Sequence, residues 1–412
     1  MSDDNQSTHK WFILGLSAIT GTLVGAIPFS CMPVLFKEIS EDLGLSLVQI
    51  GAVWGIASLA GVFVSLIAGI LGDRFGVKLI LGISCLLIGI TGALRGLSDS
   101  FLTLAITVFI FGLVRAILPV NITKTVGIWF RWKNLGMANG IVGMGMGLGL
   151  MLGPLISATI LSPLLGGWRN VLFLYGAISV VISIAWFLFG REPPQMDSVD
   201  GYSSSVPFRQ ALSKVIRIKA LWFIGLTLMF RIGSIMGMAG YLPLYLRDRG
   251  LTDASADGTL ASFYAASAIC VIPLSFLSDR IGSRKAILFP ALLVTIICLG
   301  LVPVVEVTVV WVLMIVAGIF MDGFMSVLLT MFLETEGVQS EYSGTALGVV
   351  FTIALLGGVF SPPLGNSLAS INSGLPFVFW AALSVCSMVT LTLSKETGWR
   401  RRRAIESERD VY

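Results

Sequence analysis

The chain has 412 residues, of which 56% are hydrophobic and only 12% are charged, and its mean hydropathy is +0.92. An ordinary soluble domain carries roughly 25% charged residues. This composition therefore excludes a water-soluble globular protein and predicts that lipid surrounds most of the chain. The net charge of +4 excludes little by itself, because the placement of the charges carries the information.

Apolar segments of about 20 residues, the length that crosses a bilayer, follow one another with short polar breaks. They predict an all-α membrane protein with twelve transmembrane helices. The predicted spans of the first half begin near Trp11, Val48, Leu79, Leu102, Gly136 and Val171. Those of the second half begin near Ala220, Thr259, Ala286, Thr308, Gly344 and Phe377.

The longest polar stretch lies between the two halves and contains Pro193, Pro194 and a run of serines at 203–205. Prolines and serines in such a stretch favour a linker, and its end, residues 208–219, has a basic amphipathic pattern typical of a membrane surface. The predicted domains are a six-helix bundle over residues 1–190, a cytoplasmic linker over 191–219, and a second six-helix bundle with a basic cytoplasmic tail over 220–412.

Lysine and arginine mark the cytoplasmic side of a membrane protein. If the N-terminus is cytoplasmic, the even-numbered connections and both tails receive most of the basic residues, including the run of arginines at 400–403. The opposite side receives only Lys37, Arg169, Arg247 and Arg249, with Arg95 near that end of the third span. We therefore expect a multi-pass protein of the plasma or inner membrane with both termini in the cytoplasm.

Two predicted cytoplasmic connections share a pattern. The segment at 69–78 reads GILGDRFGVK and the segment at 275–285 reads SFLSDRIGSRK. Their aspartates are 206 residues apart, the difference between 279 and 73, and that is half the chain length. The glycines at 76 and 282 keep the same offset, so the chain is predicted to be an internal duplication of six spans, a plan that many secondary transporters use.

The first segment resembles the major facilitator signature G-x-L-x-D-R-x-G-x-[RK], and the second matches it except for Ser275 in place of the leading glycine. The stretch from Trp129-Phe130 to Asn139-Gly140 is loosely similar to the nitrate, cyanate and organic-anion branches of that superfamily. The resemblance implies two pseudo-symmetric six-helix bundles that rock about a central site. It also implies a gating role for the two signature loops, at Asp73, Arg74, Gly76, Lys78, Asp279, Arg280, Gly282 and Arg284.

In the superfamily an acid at the end of the tenth span often pairs with the second loop, which implies a gating bridge between Arg284 and Glu334. The first half departs from this pattern, because Lys124 stands in its equivalent region and no acid is present.

Three ionisable residues fall near the middle of predicted spans, where an unpaired charge costs several kcal/mol. They are Arg115 in the fourth span, Arg231 in the seventh and Asp322 in the tenth. Gly112 and Gly318 share the 206-residue offset, so Arg115 corresponds to Met321, beside Asp322, in the second half. The resemblance implies that all three helices line the central cavity.

Two arginines and one acid leave this cavity with a net positive charge, and a guanidinium binds planar anions by two parallel hydrogen bonds. Arg115 and Arg231 are therefore predicted to hold an anionic substrate. The alternative is that one arginine pairs with Asp322 as a structural or gating bridge, and Asp322 is also a candidate proton carrier. Further candidate substrate contacts are Tyr264, Tyr241 and Asn121, although helical hydrogen bonding explains Asn121 equally well.

The preferred function is secondary active transport of a small anion, a carboxylate before others, coupled to protons or to exchange. The alternative is proton-driven export of drugs or other hydrophobic compounds, which Gly149-x-x-x-Gly153-Pro154 in the fifth span favours if it is more than a packing motif. A sensor that has kept the transporter scaffold is a third interpretation. Enzymatic chemistry, a cofactor, a metal site and nucleic-acid binding are not predicted, and the protein is expected to act as a monomer.

Overall fold

The structure, a computed structural model, describes residues 3–64, 75–130, 134–191, 208–335, 337–338 and 343–399. All regular elements within these ranges are helical. Eleven helical segments there are long and apolar enough to cross a membrane: His9–Ser30, Leu47–Val64, Val77–Leu97, Phe101–Trp129, Leu135–Leu165, Trp168–Phe189, Lys219–Asp248, Asp253–Ile281, Val307–Leu333, Gly344–Leu368 and Leu375–Leu393. A shorter apolar helix of 17 residues, Lys285–Leu301, stands in the place of the ninth predicted span. The predicted all-α membrane fold is confirmed.

Four of the spans are interrupted within the apolar segment. The first consists of Asp3–Thr20, a π-helical turn at Gly21–Ala26, Ile27–Ser30 and a continuation at Met32–Leu43. The fourth is divided into Phe101–Arg115 and Ile117–Trp129, the fifth into Leu135–Ile156, a π-helical turn at Ser157–Leu161 and Ser162–Leu165, and the tenth into Val307–Ile319 and Met321–Leu333. Interrupted helices free backbone groups at membrane depth, and transporters use them to line binding sites.

The chain forms two compact units. Unit 1 contains Met1–Val199 and Ala239–Ala265, and unit 2 contains Asp200–Met238 and Ala266–Tyr412. The end of the seventh span and the beginning of the eighth, residues 239–265, therefore pack with the first half, although they belong to the second half in sequence. The division of the chain at residues 190 and 220 stays a prediction from the repeat.

Unit 1 is held together by glycines that let helix backbones touch. A Cβ atom on Gly89 of the third span would lie 2.8 Å from the carbonyl oxygen of Gly176 on the sixth. On the fifth span, a Cβ atom on Gly145 would lie 3.0 Å from the Ala18 carbonyl, and one on Gly149 would lie 2.7 Å from the Thr22 carbonyl. This glycine stripe brings the fifth span against the first, as small residues do in membrane bundles.

Unit 2 has its own apolar core, formed by residues of the seventh, ninth, tenth, eleventh and twelfth spans. Gly357 lies directly against the Met229 carbonyl, so the seventh and eleventh spans also approach closely. The amphipathic segment of the linker forms the helix Phe208–Ile216, and its Val215 is fully buried in this core. Val215 of that helix therefore packs against protein, while Ile216 is exposed.

Candidate functional site

Arg115 lies at the C-terminal end of the first part of the interrupted fourth span. Its Nε atom donates a hydrogen bond of 2.9 Å to the carbonyl oxygen of Gly25, which lies in the π-helical turn of the first span. Its guanidinium is 3.8 Å from the ring centroid of Phe29. Because the negative end of a helix favours a cation, the interruption at Ala116 supplies a favourable place for this charge.

Among the predicted contacts of unit 1, Tyr264 is buried and lies close enough to interact electrostatically with Arg115. Tyr241 is also buried, and its ring lies 6.1 Å from that of Tyr245. Asn121 is fully buried and donates from Nδ2 to the Ile117 carbonyl of its own helix at 2.9 Å. The structure therefore brings Tyr264 to Arg115 and uses the amide of Asn121 within its helix.

Arg231 of unit 2 is 4% exposed. Its Nη1 atom donates to Thr295 Oγ1 of the ninth span at 2.8 Å, and the guanidinium is 5.1 Å from the ring centroid of Phe324. Its Nη2 atom has no hydrogen-bond partner among the described residues, and no described carboxylate lies within ion-pair distance of it. A buried guanidinium that has no carboxylate in direct contact is incompletely compensated, so Arg231 has capacity for an anion.

Asp322 begins the second part of the interrupted tenth span, where the positive end of a helix favours an acid. The Ser267 hydroxyl donates to Asp322 Oδ2 at 2.6 Å and accepts from the Asp322 backbone N–H at 3.0 Å. Arg231 acts on this carboxylate electrostatically without forming an ion pair. The predicted bridge between Asp322 and an arginine is therefore absent for Arg231 in the described part of unit 2.

The second signature loop forms a connected group of charges. Arg284 donates to Asp279 Oδ1 at 2.6 Å and to Glu334 Oε1 at 2.8 Å. The hydrogen bonds that Arg284 donates to Glu334 and Asp279, against an opposing effect of burial, raise the pKa of its guanidinium above the ordinary value. The predicted pairing of Arg284 with Glu334 is present, and Arg280 of the same loop is exposed.

Residues that follow the last span complete this group, and the sequence analysis did not single them out. Glu396 accepts hydrogen bonds from the Ser283 hydroxyl and from the backbone N–H groups of Arg284 and Lys285. The Trp399 indole donates to the Asp279 carbonyl at 3.0 Å, and Thr397 donates to Glu334 at 2.9 Å. A polar residue outside the apolar spans carries no periodic signal, so only the fold reveals these contacts.

The two loop glycines both have a positive φ angle. Gly76 has φ +80° and Gly282 has φ +72°, a region that favours glycine. Lys78 lies in the first turn of the helix that follows Gly76. The predicted gating residues Asp73 and Arg74, the linker at 192–207 and the arginines at 400–403 lie outside the described residues.

Two further ionisable residues are buried in unit 1. Arg95 is 1% exposed, donates to the carbonyl oxygens of Gly92 and Pro28, and lies 3.8 Å from the ring centroid of Phe111. Asp257 of the eighth span is fully buried. The sequence does not indicate this burial, because an acid near the end of a predicted helix normally faces water.

Comparison with known proteins identifies the scaffold. The family model described as Major Facilitator Superfamily matches residues 18–362 and 253–410. The structure is similar to that of a bacterial homologue of the human lysosomal transporter Spinster, with a TM-score of 0.75 and 16% identity over 94% of this chain and 95% of that one. It is equally similar to a mutant form of the nucleoside transporter NupG, with a TM-score of 0.75 and 14% identity over 93% of this chain and 100% of that one.

Several curated relatives have names that state an anion. The nitrite extrusion protein of Bacillus subtilis is 24% identical over 98% of each chain. The probable nitrate transporter NarT of Staphylococcus carnosus is 26% identical over 91% of this chain and 93% of its own. The cis,cis-muconate transport protein of Acinetobacter baylyi is 25% identical over 94% of this chain and 95% of its own.

Proposed function

The chain belongs to the Major Facilitator Superfamily of membrane transporters, and we propose that it moves a small anion across the cell membrane by alternating access. Members of this family are transporters and not enzymes. The proposed substrate class is a small carboxylate or a planar inorganic anion. Arg115 and Arg231 are the proposed substrate contacts, one from each half of the repeat.

The proposal rests on the burial of Arg231 and on the partners of its guanidinium. It is buried, has a free Nη2 donor, and lacks an ion-pair partner among the described residues. A guanidinium with its remaining donors in a low-dielectric site binds an oxyanion strongly. The contact of Arg115 with the Phe29 ring positions a second guanidinium. A positioned guanidinium favours a planar anion, which it can bind through two parallel hydrogen bonds.

The relatives add independent support. Nitrite, nitrate and cis,cis-muconate are all planar anions, two inorganic and one a dicarboxylate. Two arginines suit either kind, so their presence favours the anion class without selecting a member. The packing role of Gly149 on the first span accounts for part of the glycine–proline motif, so no specific observation favours drug export.

The energy source has two candidates. Asp322 is the proposed proton carrier, because it lies beside Arg231 and is held by a single hydroxyl that accepts or donates as its protonation changes. Exchange of one anion for another is the second candidate, since it needs only the arginines. The lysine and arginine bias supports cytoplasmic termini, and the loop group around Arg284 is the proposed gate at that side.

Uptake into proteoliposomes tests the proposal. The panel contains nitrate, nitrite, a monocarboxylate, a dicarboxylate and a cationic dye, each with and without a pH gradient. We expect one of the anions to be transported and Arg231→Gln to reduce that transport at least tenfold. Arg217→Gln, at an exposed arginine of the linker, is the matched control and should transport at the wild-type rate. Transport of the dye alone, or full activity of Arg231→Gln, contradicts the proposal.

A further inference from the structure

A second group of ionisable residues lies at the end of unit 1 away from the start of its first helix, Asp3–Thr20, and we call it the distal end. Asp257 of the eighth span is fully buried there. Its Oδ1 atom accepts from Arg247 Nη2 at 2.6 Å, and its Oδ2 atom accepts from Thr159 Oγ1 at 3.0 Å. Asp257 therefore links a helix of the second half to the fifth span of the first half.

Arg247 pairs with two carboxylates, and one of its guanidinium nitrogens makes no hydrogen bond to a described residue. Its Nε atom pairs with the exposed Asp253 at 2.7 Å, while its own side chain is 5% exposed. Its Nη1 atom has no hydrogen-bond partner among the described residues. Because the Arg247 guanidinium pairs with both Asp253 and Asp257, it compensates the negative charge of the buried Asp257 incompletely.

The fifth span holds two acids of this group through one wide turn. Thr159 lies in the π-helical turn Ser157–Leu161, and Ser162 follows it. Ser162 donates to Glu38 Oε2 at 2.5 Å, as Thr159 donates to Asp257. Turns of this kind are rare and occur often at functional sites.

The groups that act electrostatically on Asp257 carry more negative than positive charge. Glu38, Asp253 and Arg247 are the charged groups that act on Asp257. Arg247 is the one cationic group of the three, and it pairs with both Asp253 and Asp257. One proton on Asp257 removes its buried charge, and the hydrogen bond with Thr159 can be kept because a protonated carboxyl can donate to the hydroxyl that donates to the carboxylate.

We propose that Asp257 is a proton-binding site that controls whether the distal end of unit 1 is closed. Alternating access requires that residues 239–265, which pack with the first half here, separate from it during transport. Separation breaks the bond to Thr159 and brings Asp257 into contact with water. Since burial disfavours a charged carboxylate, protonation favours the closed arrangement and deprotonation favours the open one.

The proposal is independent of the transported solute. It assigns a ligand, the proton, to a group in unit 1, whereas the proposed coupling carboxylate Asp322 lies in unit 2. If the termini are cytoplasmic, the distal end faces the outside, and external acid closes it.

Pulsed electron spin resonance on the full chain in lipid nanodiscs tests the proposal. Spin labels at the exposed positions Ser46 and Ala254, in a background with the native cysteines replaced, report the separation of residues 239–265 from the first half. In the otherwise wild-type chain, we expect the ratio of short to long distances to rise with acid, by up to tenfold per pH unit between pH 8 and 5.5.

Asp257→Asn mimics the protonated group, so its distances should be short at every pH. Asp253→Asn is the comparison variant: it leaves Arg247 to Asp257 alone, which stabilises the charged carboxylate, so the pH response should persist but move to lower pH. Thr159→Val should lower the ratio of short to long distances, more at pH 8 than at pH 5.5. A wild-type ratio independent of pH, or a pH response that survives in Asp257→Asn, overturns the proposal. The distance measurement requires no anion, so the test remains valid if the proposed substrate class is wrong.

Discussion

Arg115 donates a hydrogen bond of 2.9 Å to the carbonyl oxygen of Gly25. Both residues lie where their helices are interrupted, Arg115 before Ala116 and Gly25 in a π-helical turn. An uninterrupted helix would engage the Gly25 carbonyl in its own ladder. The irregularity of the first span and the placement of the arginine on the fourth therefore belong to one arrangement.

Arg115→Lys should weaken anion transport although it keeps the charge. Lysine lacks the planar guanidinium that stacks on Phe29 and the Nε donor that reaches Gly25. We expect the KM for the transported anion to rise about tenfold, the loss of one strong charge-assisted hydrogen bond. Initial uptake rates over a range of anion concentrations measure it. A KM equal to that of wild type would show that the guanidinium plane is irrelevant.

Asp322→Asn should separate proton coupling from anion binding. The amide keeps a hydrogen bond with Ser267 but cannot exchange a proton. We expect a pH gradient to lose its effect on uptake, while exchange of internal for external anion continues. The control is Ser267→Ala, which removes the hydrogen bond and leaves the carboxyl group titratable. If the pH gradient still drives uptake in Asp322→Asn, another group carries the proton.

Glu396 should stabilise the protein in a pH-dependent way. Burial alone would raise the pKa of Glu396, but hydrogen bonds from Ser283 and from the backbone of Arg284, Gly398 and Lys285 hold that pKa below its ordinary value. A lowered carboxyl pKa stabilises the fold above the unfolded-state pKa, and this stabilisation disappears as pH falls through the folded-state value.

Glu396→Gln should therefore lower Tm by on the order of 3 °C at pH 7. The difference from wild type should shrink as the pH falls below about 4, because the wild-type carboxylate is then protonated. Thermal unfolding followed by scanning fluorimetry in detergent measures both values. A Tm difference that is the same at pH 7 and at the acidic limit contradicts a contribution from the ionised form.

Gly282→Ala should destabilise the second signature loop. An alanine at φ +72° costs about 1–2 kcal/mol, and its Cβ atom would overlap the indole of Trp399. Gly300→Ala is the control, since nothing lies within 4 Å of the Cβ position at that helical glycine. We expect Gly282→Ala to lower Tm by at least about 2 °C and Gly300→Ala to leave it unchanged or raised. Equal Tm values for the two variants contradict the assigned backbone constraint.

Much of the fold could be predicted from the sequence, because apolar segments of constant length report lipid directly. Eleven of the twelve predicted spans are helices long enough to cross a membrane in the described residues, and the ninth is a shorter apolar helix. The pairing of Arg284 with Glu334 followed from the resemblance to the superfamily. The matching turns at Gly76 and Gly282 agree with the 206-residue repeat. These features are local or periodic, and so they can be predicted from the sequence.

The rest depends on contacts that have no period. The breaks in the fourth and tenth spans place Arg115 at a helix end and Asp322 at a helix start, yet both spans are apolar on either side of the break. Asp257 was missed because its burial results from packing with the fifth span, far away in sequence. Glu396 was missed because its donors on Ser283, Arg284 and Lys285 lie more than 100 residues earlier.

The central claim is that Arg231 binds an anion, and equilibrium binding tests it most directly. The purified chain in detergent is titrated with the anion that proteoliposomes transport, by isothermal calorimetry at constant pH. The account predicts saturable binding to the wild-type chain and to Arg217→Gln, with a loss of affinity of at least tenfold in Arg231→Gln. Binding to Arg231→Gln with the wild-type Kd would contradict it.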